Sequence, residues 1–221
     1  MLQNIRSKMT RPQLIALGYF LVIALGTILL MLPVATEAGE MTDFVTALFT
    51  ATSSTCVTGL VVVDTSVHWS MFGQLIILMM IQIGGLGFVT IGVLFAMFLN
   101  RKINLRTRGL VQESMNTNQV GGMVRLVKKV IKGTIIIELT GAALLSFRFV
   151  PEFGLAKGLC FGLFHSVSAF CNAGFDLMGG SRGQYSSFTT FSDDILVNVV
   201  IMSLIVIGGI GFLVWDDVTK H

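Results

Sequence analysis

Long and short apolar segments alternate along the chain, and the same order occurs twice. Each long segment is near the roughly 20 residues that a helix needs to cross a bilayer, whereas each short segment reaches only part of the way. Because lipid offers backbone groups no hydrogen-bond partner, spanning segments of this kind fold as helices. We therefore expect an all-α integral membrane protein. The long segments are residues 14–33, 71–99, 130–149 and 195–215, and the short segments are residues 41–54 and 154–169.

A glycine-ended loop follows each short segment, and a glycine-rich hexapeptide lies in the long segment after it. The loops read TCVTG at residues 55–59 and FCNAG at residues 170–174, and the hexapeptides read IGGLGF at residues 83–88 and IGGIGF at residues 207–212. We interpret the chain as two parallel repeats, each a spanning helix, a re-entrant pore helix, a loop and a second spanning helix. Non-helical backbone survives at membrane depth only where it faces protein or water, so the loops predict a pore. The hexapeptide glycines predict a flat helix face for close helix packing.

Composition and charge orient the repeats in the membrane. Hydrophobic residues make up 53% of the chain and charged residues only 12%, which excludes an ordinary water-soluble globule. Basic residues are concentrated before the first long segment and in residues 101–132. Two crossings between these regions place both on the cytoplasmic side, including the N-terminus, with the glycine loops opening outwards. The predicted units are residues 1–100 (first pore repeat), 101–128 (cytoplasmic basic loop) and 129–221 (second pore repeat).

The two loops have the chemistry of a cation site. A pore lowers the cost of moving a cation through lipid by replacing its hydration shell with fixed oxygen dipoles. Gly59 and Gly174 permit the positive φ that turns carbonyls inward, and the short helices would direct their negative ends toward the ion. The candidate ion-binding residues, acting through their backbone carbonyls, are Thr55, Cys56, Val57, Thr58, Gly59, Phe170, Cys171, Asn172, Ala173 and Gly174.

Five segments resemble the Trk/Ktr/HKT superfamily of potassium transporters, and most closely the potassium-uptake subunits of bacterial Ktr systems. They read ATSSTCVTGL at 51–60, VDT at 63–65, QIGGLGF at 82–88, LVQE at 110–113 and FHSVSAFCNAGF at 164–175. The resemblance covers nearly the whole chain. It departs at Cys171, where the family pattern commonly has asparagine.

The resemblance implies a multi-pass protein of the bacterial cell membrane that takes up potassium, in many members with a dependence on sodium. It also implies a homodimer that contacts membrane lipid and binds a cytosolic RCK-type nucleotide-binding ring. Carried over by position, residues 55–59 and 170–174 are the first two segments of a selectivity filter. No bound cofactor, nucleic-acid partner or transition-metal site is expected.

The family builds each pore from four repeats, and this sequence contains two. We therefore expect the N-terminal half of a four-repeat pore. Two alternatives remain open at this point: a half-length subunit whose copies pair to complete one pore, and a truncated product that conducts nothing. The gating residues of the family belong to its second half and have no counterpart in these 221 residues.

A few single residues have competing interpretations. His165 lies in the second short segment, where we expect a structural hydrogen bond behind the loop, with pH sensing as the alternative. Glu138 lies inside a spanning segment, and its expected roles are a hydrogen bond to a neighbouring helix or a direct part in transport. Cys56 and Cys171 are expected to pack as small apolar side chains. An enzyme using Cys171 and His165 would lack a third group to orient the pair, so no enzymatic activity is expected.

Overall fold

The structure, a computed structural model, describes residues 10–87, 90–92, 123–212 and 214–215. Within these ranges the regular structure is helical, and the β-type pairing is an isolated bridge between Thr36 and Trp69. The expectation of an all-α protein is confirmed for these residues. Most of the predicted basic loop, residues 101–122, lies outside the described residues.

The helices follow the same order in each half of the chain. In the first half they are α1 (Arg11–Leu30), α2 (Phe44–Thr55), α3 (Thr65–His68) and α4 (Met71–Leu86). In the second half they are α5 (Met123–Phe153), α6 (Leu155–Phe170), α7 (Gly179–Arg182) and α8 (Ile195–Gly209). Short 3-10 turns occur at Pro33–Ala35 and Thr189–Phe191.

Polar caps and one glycine set several helix ends. Asp43, Ser70 and Asp194 each accept a backbone N–H from the first turn of α2, α4 and α8, which satisfies a donor that the helix leaves open. Helix α4 ends at Gly87, which has a φ of 82°. The sequence predicted one uninterrupted segment over residues 71–99, but Gly87 interrupts it, and residues 93–100 lie outside the described part of the chain.

Two helices are long and apolar enough to span a bilayer, and they are mostly uncovered by protein. In the most apolar windows of Pro12–Leu30 and Arg125–Phe153, only 22% and 39% of the residues are buried. A core helix of a soluble protein would bury most of such a window, whereas a lipid-facing helix leaves it open. Helices α4, α6 and α8 are apolar but shorter. Together these helices indicate a membrane protein.

One apolar cluster of buried residues joins the two halves. Ile77 and Ile81 of α4 and Leu145 and Phe149 of α5 are fully buried in one cluster, which also contains Phe175 from the segment after the second glycine loop. The core therefore lies where the two loops approach each other and fixes their relative position.

Candidate functional site

Each of the two short helices ends inside the predicted loop. Helix α2 ends at Thr55 with Cys56 as its C-cap, and α6 ends at Phe170 with Cys171 as its C-cap. Both helices run one residue further than residues 41–54 and 154–169 predicted. The negative ends of both helix dipoles therefore lie at the candidate ion-binding residues.

The loop backbones have the same conformation at matched positions. Val57 and Asn172 both have a φ of 58°, and Gly59 and Gly174 both have a φ of 73°. The sequence predicted the glycines but not the other two residues. Asparagine tolerates this left-handed region, whereas a β-branched valine is a genuine outlier there. Strain of this kind costs on the order of 1–3 kcal/mol and persists only where the surrounding structure enforces it.

One serine braces each loop from the preceding helix. The hydroxyl of Ser53 donates to the carbonyl of Leu60 at 2.7 Å, and that of Ser168 donates to the carbonyl of Phe175 at 2.6 Å. The backbone carbonyls of the same two serines accept the N–H groups of Thr58 and Ala173, at 3.0 and 2.7 Å. Sequence reasoning missed these serines, although a signal was present, because each serine lies three residues before the loop cysteine in its own repeat.

The two loops meet through their glycines. A β-carbon added to Gly59 would lie 2.5 Å from the carbonyl oxygen of Ala173 and 3.1 Å from the α-carbon of Gly174. A β-carbon added to Gly174 would lie 3.5 Å from the α-carbon of Gly59, which is ordinary contact. The structure thus brings the ends of both candidate segments into backbone-to-backbone contact.

The nearest neighbours of Gly84, Gly85 and Gly208 are residues of the two loops. A β-carbon at Gly84 would overlap the carbonyl oxygen of Thr55, and one at Gly208 would overlap that of Phe170. A β-carbon at Gly85 would lie 2.5 Å from Cys171 Sγ. The predicted close packing therefore occurs, but its partner is the loop backbone. Its consequence is that α4 and α8 support the ends of both short helices directly.

Glu138 makes the hydrogen bond to a neighbouring helix that was one of its expected roles. It is 6% exposed, and Gln82 Nε2 of α4 donates to its two carboxylate oxygens at 3.0 and 3.2 Å. The hydroxyl of Ser166 donates to the Glu138 backbone carbonyl at 2.7 Å. Glu138 therefore connects α4, α5 and α6 beside the second loop.

His165 has the structural role expected of it. The N–H of Leu177 donates to Nε2 at 3.0 Å, which leaves Nδ1 as the protonated nitrogen that donates to the Phe161 carbonyl at 2.7 Å. The ring also lies edge-on to those of Phe149 and Phe188. With both nitrogens occupied by backbone groups, His165 is not available to activate Cys171. Among the described residues, no cluster of three or more His, Cys, Asp or Glu could hold a metal ion.

Comparison with known proteins finds matches among cation transport proteins. A family model described as "TrkH: Cation transport protein" matches residues 5–220. The potassium/sodium uptake protein NtpJ of Enterococcus hirae is 42% identical over 221 residues, which is 100% of this chain and 48% of that protein. The Ktr system potassium uptake protein B of Bacillus subtilis is 47% identical over 214 residues, which is 97% of this chain and 46% of that protein.

A second relative of the same name, from Vibrio alginolyticus, is 38% identical over 217 residues. This match covers 98% of the present chain and 46% of that protein. The chain therefore spans about half the length of the curated relatives it matches.

Proposed function

The chain belongs to the TrkH family of cation transport proteins, and from this premise we propose that it forms part of a potassium-uptake pore. Residues 55–59 and 170–174 are the proposed first two segments of the selectivity filter. The observation that carries the proposal is the pair of loops. They share their φ values at two matched positions, and they face each other through Gly59 and Gly174.

The proposed mechanism uses backbone oxygen in place of water. The carbonyls of the candidate residues replace the hydration shell of the ion, and the negative ends of α2 and α6 add attraction for a cation. Val57 and Asn172 adopt a left-handed backbone conformation just after each helix. This conformation changes the direction of the chain, so the carbonyls that follow do not point along the helix axis. Hydrogen bonds from Ser53 and Ser168 to backbone carbonyls support this conformation, and in the first loop the hydroxyls of Thr58 and Ser53 are also hydrogen-bonded, at 2.8 Å.

The proposed topology follows the two repeats. Residues 1–100 and 129–221 each contribute a spanning helix, a re-entrant pore helix and a second spanning helix, with residues 101–128 in the cytoplasm. The N-terminus is cytoplasmic in this arrangement, because two crossings separate it from the basic loop. The bacterial cell membrane is the proposed location.

The relatives support the identity of the ion and indicate further subunits. The Enterococcus protein is named as a potassium/sodium uptake protein, and the Bacillus and Vibrio proteins are named as potassium uptake proteins of a Ktr system. For the present chain we propose potassium as the transported ion. A homodimer on a cytosolic RCK-type nucleotide-binding ring is the proposed assembly.

The pore requires more oxygens than these two loops supply. Ile81 of α4 and Ile205 of α8 occupy matched positions, two residues before each hexapeptide, yet Ile81 is 0% exposed and Ile205 is 41% exposed. In the described part of the chain, the side chain at this position is therefore fully covered in the first half and partly open in the second. We infer that further repeats cover it, either from a longer chain or from a second copy, and that a single copy of this chain does not conduct.

Growth of cells that lack potassium uptake tests the function. The complete reading frame that contains this chain should restore growth at low potassium. Gly174→Ser should weaken the rescue, because it strains the proposed filter, whereas Gly39→Ser should not. Gly39 is the matched control, since it has a φ of 70° and no neighbouring atom within 4 Å of an added β-carbon. A complete frame that is expressed in the membrane but never restores growth would refute potassium uptake.

A further inference from the structure

Asp64 is buried between the two halves of the chain, at 5% exposure. It is the N-cap of α3, and its Oδ1 accepts the backbone N–H groups of Ser66 and Val67 at 2.9 and 3.2 Å. The hydroxyl of Ser66 also donates to Oδ1, at 2.9 Å. These contacts alone would make Asp64 an ordinary helix cap.

The second oxygen of Asp64 reaches the other repeat. Oδ2 accepts the backbone N–H of Tyr185 at 2.6 Å, and Ser66 Oγ accepts the N–H of Gly180 at 2.5 Å. A β-carbon at Gly179 would overlap the Asp64 carboxylate, so only a glycine allows this approach. We call this group of contacts the clasp; it comprises Asp64, Ser66, Gly179, Gly180 and Tyr185.

The clasp is connected to both loops by short paths. On its first-repeat side, Asp64 follows residues 60–63, whose start is fixed by the bond from Ser53 to the carbonyl of Leu60. On its second-repeat side, the clasp belongs to residues 177–185, which we call the clasped segment. This segment is anchored to α6 because the backbone N–H of Leu177 donates to Nε2 of His165. Because α6 ends in the second loop, a shift of the clasped segment moves residues 170–174 relative to residues 55–59.

We propose that Asp64 is a positioning residue for the ion path, which sets the register between the two loops by holding the second repeat against the first. This inference rests on the proposed function only in its expected effect on ion selectivity. The carboxylate is needed because both of its oxygens act as acceptors, one for the cap of α3 and one for Tyr185. An asparagine has one oxygen and cannot serve both sides.

The substitution Asp64→Asn separates these two tasks. Asparagine caps a helix about as well as aspartate, so α3 remains capped while the bond to Tyr185 is lost. In proteoliposomes of the assembled transporter, we expect potassium-over-sodium discrimination to fall about tenfold, as for the loss of one charge-assisted hydrogen bond. The matched control is Asp43→Asn, the same change at the N-cap of α2, where the carboxylate accepts Thr46 N–H within its own helix. Equal discrimination by the two variants would overturn the proposal.

A designed disulfide tests the positioning role by rescue. An added β-carbon on Gly180 lies 3.9 Å from the β-carbon of Ser66, within the roughly 3.5–4.5 Å range of disulfides. Ser66→Cys with Gly180→Cys, introduced into Asp64→Asn, should restore discrimination when oxidised and lose it on reduction. Single-cysteine variants control for the native cysteines. A disulfide verified by mass spectrometry that restores nothing would contradict the positioning role.

The rate at which this disulfide forms distinguishes an error in the clasp proposal from an error in the proposed function. In the Asp64 background the two cysteines should oxidise several-fold faster than in the Asp64→Asn background, because the carboxylate holds the two segments together. The rate is read without any ion flux. Equal rates would overturn the clasp even in a potassium-selective transporter, and a clear rate difference in a protein without selective flux would leave the clasp intact and refute the proposed filter.

Discussion

At the scale of single residues, the loops combine two kinds of left-handed position. Gly59 and Gly174 have the same φ, but their surroundings differ, because an added β-carbon collides with a carbonyl only at Gly59. A side chain at φ near this value costs about 1–2 kcal/mol in either loop. At Gly59 the added β-carbon would also collide with the carbonyl oxygen of Ala173, a candidate filter residue of the other repeat.

This asymmetry gives a ranked prediction for stability. Gly59→Ala should lower the free energy of unfolding by about 1 kcal/mol or more beyond Gly174→Ala, because overpacking adds to the backbone cost. Gly39→Ala, with a φ of 70° and open space, should match Gly174→Ala. Thermal unfolding of the purified variants in detergent measures the ranking. Equal losses at Gly59 and Gly174 would show that the two loops are not in backbone contact.

Asp194 provides a pH-dependent prediction outside the spanning segments. Its pKa is lowered, first by the hydrogen bond from the Val197 backbone N–H and also by Arg148. A lowered folded-state pKa gives stability that is present above the unfolded value, about 3.9, and is lost as the pH falls through the folded value. Asp194→Asn keeps the cap without the charge. The difference in unfolding temperature between wild type and this variant should therefore shrink on acidification from about pH 6 to about pH 3, and a constant difference would contradict the assignment.

At the residue scale, the sequence predicted the positive φ of the two loop glycines but not that of Val57 and Asn172. A repeated glycine at a helix end has one common physical cause, the need for a positive φ. Val57 has no such signature and Asn172 has only a weak one, because asparagine is also common elsewhere. Both residues lie in loops braced by serines and next to glycines of α4 and α8, contacts that the sequence does not reveal. In the sequence, Asp64 is recognisable only as part of the VDT motif at residues 63–65, because its hydrogen-bond partner Tyr185 lies 121 residues away.

At the scale of helices, the hexapeptides make α4 and α8 supports for the loops. Replacing glycine by alanine inside a helix is normally favourable by roughly 1 kcal/mol. Gly84→Ala and Gly208→Ala should instead destabilise the protein and reduce transport, because the new methyl group displaces the carbonyl of Thr55 or Phe170. Gly209→Ala is the matched control, since the nearest atom to its added β-carbon is 3.8 Å away.

Unfolding temperature and potassium flux should separate these three variants. We expect wild-type or higher stability for Gly209→Ala and clear losses for the other two. Tolerance of alanine at Gly84 and Gly208 would mean that the loops do not depend on support from α4 and α8.

The order of the six longer helices was predictable, because each follows from a run of apolar residues of a given length. The four-residue helices α3 and α7 have no such run and were not predicted. The ends of the longer helices were less predictable. The run over residues 71–99 has no proline or charge that would stop it before Gly87, and glycine is compatible with either continuation or a break. Helix α5, in contrast, runs from Met123 to Phe153, beyond residues 130–149 at both ends. Basic residues continue it at its start, and at its end it passes through Pro151, where Arg148 and Glu152 form an ion pair one turn apart.

At the scale of the whole molecule, topology gives an independent prediction. Cysteines introduced at residues 5 and 115 should react with membrane-impermeant reagents only from the cytoplasmic side. A cysteine at Gly183, in an open position of the clasped segment, should react only from outside. Reactivity of residues 5 and 115 from opposite sides would rule out two parallel repeats.

The contact between the two halves could not have been derived from the sequence. Apolar patterning shows that α4 and α5 each need a partner, but many pairings satisfy it equally well. The structure resolves this through the shared core of Ile77, Ile81, Leu145 and Phe149 and through the meeting of the two glycines.

The most direct test of the carbonyl filter is the ratio of potassium to sodium flux through the reconstituted transporter. We expect the wild type to favour potassium, Gly39→Ser to keep the wild-type ratio, and Gly174→Ser to move the ratio toward one, because serine strains the loop that orders the carbonyls. A ratio that Gly174→Ser leaves unchanged, in protein that is folded and still conducts, would contradict selection by these loops.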